Sequence, residues 1–69
     1  MNVHAIALSG EALEVLKRKA REYGLEVREE EGVTLVFVRE EVYWLLKHIA
    51  LRESINIQEA LKRALLEYA

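Results

Sequence analysis

Val33–Ala69 reads VTLVFV, then REEVYWLLKHIALRES, then INIQEALKRALLEYA. This is a short apolar strand, a helix, a tight connection and a second helix. Glu40 and Glu41 stand in the first turn of the first helix, where the positive end of the helix dipole favours carboxylates. Val42, Leu45, Leu46, Ile49 and Ala50 recur at three- and four-residue spacing, so they share a face. The connection is Glu53-Ser54-Ile55-Asn56. Asn56 is a good N-cap, and Glu59 three residues later completes a capping-box pattern. The last helix repeats Ile57, Ala60, Leu61, Ala64, Leu65 and Tyr68 on one side and turns Lys62, Arg63 and Glu67 toward water.

The run ALRESINIQEALKRALLEY, Ala50 to Tyr68, resembles the C-terminal two-thirds of a ribbon-helix-helix domain. Members of that family carry a similar A-x-R-E-G-I-S-x-x-E-A-L-x-x-A-L-x-x-Y string after a short strand and an E-E helix start. The resemblance covers about half of the chain. It implies a homodimer in which two strands pair antiparallel into a ribbon that enters the DNA major groove. It also implies that the helix start at Asn56 and Ile57 offers backbone N–H groups to a phosphate, with Arg39 as a basic anchor. Thr34 is carried with these three as a candidate DNA contact. The expected function is therefore a small DNA-binding transcriptional regulator, a repressor or an antitoxin-like component. The alternative is a homo-oligomeric protein-interaction module that keeps the helical scaffold and does not bind DNA.

Two departures from the family bear on that choice. Ser54 stands where the family has Gly, at a position suited to a left-handed C-cap. The strand is apolar on both sides. Counted back from the helix, Val36 and Val38, with Thr34, face the core, and Val33, Leu35 and Phe37 fall where a ribbon would read bases. Base edges are read by hydrogen bonds, which these three side chains cannot make. A strand apolar on both faces is normally covered on both, so the other half of the chain is expected to pack over Val33, Leu35 and Phe37.

Upstream, Asn2–Leu8 (NVHAIAL) alternates as a strand, with Val3, Ala5 and Ala7 on one side and His4, Ile6 and Leu8 on the other. Ser9 is a candidate N-cap for a helix over residues 10–23 that groups Ala12, Leu13, Leu16, Ala20 and Tyr23, closed by Gly24. Leu25–Glu29 alternates as a half-exposed strand, and Glu30, Glu31 and Gly32 turn the chain into Val33. The expected fold is a single α+β domain, residues 1–69, in the order β-α-β-β-α-α. Its ribbon-helix-helix-like half is 33–69, preceded by a strand-helix-strand extension over 1–32.

Residues 3–25 also echo residues 33–55 at an offset of thirty: Val3/Val33, Glu11/Glu41, Leu16/Leu46, Lys17/Lys47 and Ala20/Ala50 are identical. Either two β-α units share a hydrophobic pattern, or the unit is duplicated. Duplication would make Asn2–Leu8 and Val33–Val38 neighbouring strands, as in a ferredoxin-like half sheet whose last strand is replaced by a helix.

Composition sets limits. A chain of 8.0 kDa buries only roughly 60% of its unfolded surface, and 52% hydrophobic residues then favour an oligomer. There is no cysteine, proline or aspartate. Abundant Glu and Arg with little Asn and Gln is a composition shared by heat-adapted and designed proteins. No stretch reaches the ~20 apolar residues of a membrane span, and MNVHAIAL lacks the basic start of a signal peptide, so the cytoplasm is the expected compartment. A net charge of −2 runs against a dedicated nucleic-acid binder. Charge is segregated, however, with Lys17, Arg18, Lys19 and Arg21 in one cluster and Glu29, Glu30 and Glu31 in another. The basic cluster reads as a solvated face, with Glu14 and Arg18 paired, or as a phosphate-contacting patch. The acidic one reads as a hairpin turn that discourages edge pairing.

His4 and His48 have no partner at metal-ligand spacing, and Ser9 and Ser54 are accounted for by helix ends. No catalytic constellation, metal site or cofactor is expected, and the chain is not read as an enzyme. Tyr43 and Trp44 make their helix apolar nearly all round, so Trp44, Leu45, Ile49, Leu61 and Leu65 are candidate oligomer-interface residues. The expected partners are a second copy, duplex DNA or another protein.

Overall fold

A computed structural model describes residues 2–67, so Tyr68 of the last apolar stripe lies outside the described residues. The elements run β1 (Val3–Leu8), α1 (Leu13–Glu22), β2 (Glu26–Glu30), β3 (Val33–Arg39), α2 (Glu40–Glu53) and α3 (Ile57–Glu67). The expected α+β order is the one observed. The three strands form an antiparallel sheet in the order β1-β3-β2. β3 is thus central, with both of its edges hydrogen-bonded within the chain, and β1 and β2 are the edges.

Local chemistry explains the boundaries. Gly10 takes φ +107, a conformation that breaks helical continuation, so α1 begins at Leu13 and Ser9 does not cap it. Glu31 (φ 52) and Gly32 (φ 79) form the two-residue loop between β2 and β3. Positive φ at both positions is what a tight hairpin of right-twisted strands needs. Asn56 ends the connection before α3, where the Glu59 N–H donates to Asn56 Oδ1 at 2.8 Å, the capping bond expected from the sequence.

α1 and α2 close with the same motif. The Leu25 N–H donates to the Ala20 carbonyl (3.0 Å) and the Gly24 N–H to that of Arg21 (2.9 Å). Thirty residues on, the Ile55 N–H donates to the Ala50 carbonyl (2.9 Å) and the Ser54 N–H to that of Leu51 (3.4 Å). These are paired Schellman closures, with Gly24 and Ser54 both left-handed. A non-glycine residue at that conformation costs energy that glycine avoids. Ser54→Gly is therefore expected to raise stability by about 0.5–1 kcal/mol and Gly24→Ser to lower it by a similar amount, read from urea unfolding midpoints.

The core lies on one side of the sheet. Ile6 and Leu8 of β1 and Val36 and Val38 of β3 pack against Leu16 and Ala20 of α1, Leu46 and Ala50 of α2, and Ala60, Leu61 and Leu65 of α3. Ile6/Val36, Leu8/Val38, Leu16/Leu46 and Ala20/Ala50 are equivalent at the offset of thirty, and all eight are buried. β1 and β3 are neighbours, with Ile6 directly opposite Val36. The arrangement is the one the duplicated-unit reading requires.

Three details differ from the sequence reading. Leu45 is 65% exposed at the margin of the α2 stripe, and Tyr43 takes the inner place by stacking on His4 (3.9 Å between centroids, 9° between planes). Ala12 and Tyr23 are exposed because α1 spans only Leu13–Glu22. Arg18 lies 3.8 Å from Glu22 rather than pairing with Glu14.

Candidate functional site

All three helices pack on the face of Ile6, Val36 and Val38, so the opposite face of the sheet is bare. The strand registers set out its side chains in rows. Ala5, Phe37 and Glu26 form one row, Ala7, Leu35 and Arg28 the next, and Val33 stands beside Glu30. The expectation that the N-terminal half of the chain packs over Val33, Leu35 and Phe37 is therefore corrected. Leu16 and Ala20 place α1 on the other side, with Ile6 and Leu8 of β1 and Val36 and Val38 of β3.

The bare face divides in two. Over β1 and β3 it is apolar along Val3, Ala5, Ala7, Val33, Leu35 and Phe37, and ends in Arg39 opposite Val3. Over β2 it is charged. Arg28 leans toward β3, its guanidinium 5.0 Å from the Phe37 ring centre, and its Nε donates to Glu26 at 2.6 Å. The edges divide in the same way. β2 carries Glu26, Arg28, Glu29 and Glu30, whereas β1 carries no charged residue.

The candidate residues scatter over this frame. Thr34 is 4% exposed, on the helix-covered face, away from Leu35. Arg39 is exposed at the end of β3 opposite Val3, and shares a shallow cleft with Asn2, Val3, Glu40, Glu41 and Trp44. Asn56 caps α3, and Ile57 is half-buried against the core. Trp44 is 55% exposed, in edge contact with Tyr43, and Lys47 Nζ lies 5.6 Å from both rings. Ile49 packs on the core, and Leu61 and Leu65 lie within it. Of the interface candidates, Trp44 and Leu45 present open surface; of the DNA candidates, Arg39 and Asn56 do.

The sequence reading did not single out Val3, Ala5 and Ala7 as surface for a partner. The available signal was the apolar character of NVHAIAL on both of its alternating sides. His4 Nε2 is buried with no hydrogen-bond partner among the described residues, and His48 is exposed on α2. Among the described residues no group of three or more His, Cys, Asp or Glu is placed to hold a metal ion, and no helix is long and apolar enough to cross a membrane.

The basic and acidic clusters meet in space. Lys17 is buried and donates to Glu14 (3.1 Å) and Glu29 (2.6 Å), which ties α1 to β2. The Glu29 and Glu14 hydrogen bonds raise the Lys17 pKa above its ordinary 10.5. The Lys17 hydrogen bond lowers the Glu29 pKa below its ordinary 4.5. The two linkages have opposite signs. The Glu29 contribution is present above pH 4.5 and is lost as pH falls through its lowered value. The Lys17 contribution is complete below pH 10.5 and is lost as pH rises through its raised value. Stability measured by denaturant titration is expected to fall in both windows, and Lys17→Met to flatten both flanks relative to the parent chain.

No family model matches the chain, and neither a curated protein nor a solved structure matches it. What is established is a small α+β domain with one helix-covered and one bare sheet face.

Proposed function

We propose that this domain is a self-associating protein-interaction module that acts through the uncovered side of its sheet. One observation carries the reading: on the β1/β3 half of the bare face the side chains Val3, Ala5, Ala7, Val33, Leu35 and Phe37 form one apolar patch, with the charged Arg39 only at its end, and no helix covers it. Contiguous apolar surface on a small domain marks a place where another protein docks. The size of the chain points the same way, because a domain of 69 residues buries a smaller share of its unfolded surface than a larger domain does, and an interface adds to it. The direct test is sedimentation velocity across a concentration range from low micromolar to millimolar. A reversible dimer or higher species is expected, and a monomer at every concentration would overturn the proposal.

A DNA-binding regulator of ribbon-helix-helix type is the second reading, and the α2–α3 hairpin favours it. Ser54 is left-handed where that family has Gly, and Asn56 caps the following helix. In this reading β1 of the same chain stands in for the partner strand of the ribbon, and the α3 start and Arg39 hold phosphates. It ranks second because the side chains that would meet base edges, Val33, Leu35 and Phe37 with Ala5 and Ala7 beside them, have no hydrogen-bonding group, and Arg39 stands only at the end of the strand. Selection from a random duplex pool at low salt tests it. Enrichment of a palindromic site whose affinity falls linearly in log salt would establish it. No retention of DNA would remove it.

A further inference from the structure

The internal repeat defines a vacant position in the sheet. β1 and β3 are equivalent at the offset of thirty and pair with Ile6 opposite Val36, so equivalent residues meet and a local two-fold axis passes between them. Beyond β3 lies β2, which pairs with Val33–Phe37. The same two-fold operation carries β2 to the far edge of β1, opposite Val3–Ala7. No described strand fills that place. Where a strand could return, the chain turns at Ser54 and continues as α3, whose Ala60, Leu61 and Leu65 pack in the core on the helix side. The outward N–H and C=O groups of β1 are left without a backbone partner among the described residues.

We propose that a second copy of this chain fills the position with its own β1, antiparallel, about a two-fold axis at Ala5. This inference rests on the self-association reading above and specifies its geometry. The centre of the vacant stretch Val3–Ala7 is Ala5, so a symmetric occupant sets Ala5 against Ala5, Val3 against Ala7 and His4 against Ile6.

Charge selects this pairing among the possible ones. Two β2 edges would bring a strand with three glutamates among its five residues against its own copy. β1 against β2 is a head-to-tail contact that does not close on itself. β1 against β1 opposes only uncharged side chains, and β1 has none of the charges, prolines or bulges that natural edges use to prevent pairing. The product is a continuous sheet of order β2-β3-β1-β1-β3-β2, its apolar outer columns joined in the middle and its charged β2 strands at the margins. Trp44, which lines a cleft with Val3 at the start of β1, adds apolar surface beside the new contact. A stable interface takes ~800 Å² per partner, roughly a sixth of the 4861 Å² surface of the chain.

The chain has no cysteine, so single cysteines report the geometry cleanly. Directly opposed residues of antiparallel strands lie about 4.5–5.5 Å apart at Cα, within disulfide reach. Under mild oxidation Ala5→Cys is expected to convert most of the protein to a covalent dimer. Val3→Cys and Ala7→Cys are expected to cross-link when mixed and to stay separate alone. Leu35→Cys, on the central strand of the same face, is expected to remain uncross-linked, because two Leu35 positions in this sheet are three strand spacings apart, about 14 Å, and also offset by four residues, about 13 Å, along the strands. A dimer in sedimentation that cross-links through Leu35→Cys and not through Ala5→Cys would overturn the edge pairing and leave self-association standing. A monomer at all concentrations would overturn both.

Discussion

Leu16→Ala is expected to cost about 3 kcal/mol of unfolding free energy. Leu16 is 1% exposed and packs in the single cluster formed by all three helices with β1 and β3. Removing three buried carbons forfeits their transfer energy and leaves a cavity, which together cost roughly 2–5 kcal/mol for Leu→Ala. A chain of 69 residues holds only roughly 3–10 kcal/mol in total, so the variant stands near the edge of unfolding at room temperature. Leu46 is the equivalent residue in the second unit, with 4% exposure, and its truncation is expected to cost nearly as much. Leu45→Ala, on the exposed margin of the same helix, is expected to change stability by no more than about 0.5 kcal/mol. Urea unfolding at one fixed protein concentration checks all three, since self-association couples stability to concentration. Costs below about 1 kcal/mol at both Leu16 and Leu46 would contradict the described core.

Val36→Asp is expected to abolish the folded state at neutral pH. Val36 is fully buried at the centre of β3, with Ile6 opposite on one side and Val27 on the other. A carboxylate there loses its hydration among apolar neighbours, and the buried ammonium of Lys17 is already committed to Glu14 and Glu29. An unpaired buried charge costs several kcal/mol, comparable to the whole stability of the domain. The pH dependence separates this from a loss of packing. Burial raises the carboxyl pKa in the folded state, so the folded variant takes up a proton more readily than the unfolded chain. The deficit relative to the parent chain therefore shrinks as pH falls toward the ordinary Asp range near ~4. Val36→Thr, with nearly the same volume and a hydroxyl in place of a methyl, is expected to fold with a smaller and pH-independent loss. Circular dichroism across pH 3–8 distinguishes the two variants.

Much of the chain was legible residue by residue. The alternation of NVHAIAL and VTLVFV, the three-and-four spacing of Leu16 and Ala20 or Leu46 and Ala50, Gly24 after a basic turn, and Asn56 with Glu59 each act over a few residues. Each appears in the structure close to where the sequence put it. The repeat at thirty also carried information, because it anticipated β1 and β3 as neighbours. Less legible were features that depend on residues far apart. Lys17 and Glu29 sat in separate charge clusters with separate readings, and only the packing of α1 beside β2 brings them to 2.6 Å. Tyr43 and Leu45 could each have taken the inner side of α2, and the ring of His4, on another element, decided between them. The candidate surface was half visible. Val33, Leu35 and Phe37 were identified as an anomalous face, whereas Val3, Ala5 and Ala7 became part of it only through the register of β1 on β3.

By itself, then, the sequence determined the six elements, their order, the Asn56 cap, the Gly24 close and the side of β3 that seeks the core, because periodicity and capping are settled by near neighbours. The tertiary structure alone decided that β3 is central, that all three helices share one face and that the other face stays open. Those outcomes follow from competition for area: three short helices bury their apolar stripes best against one side of a three-stranded sheet, and none remains to cover the other.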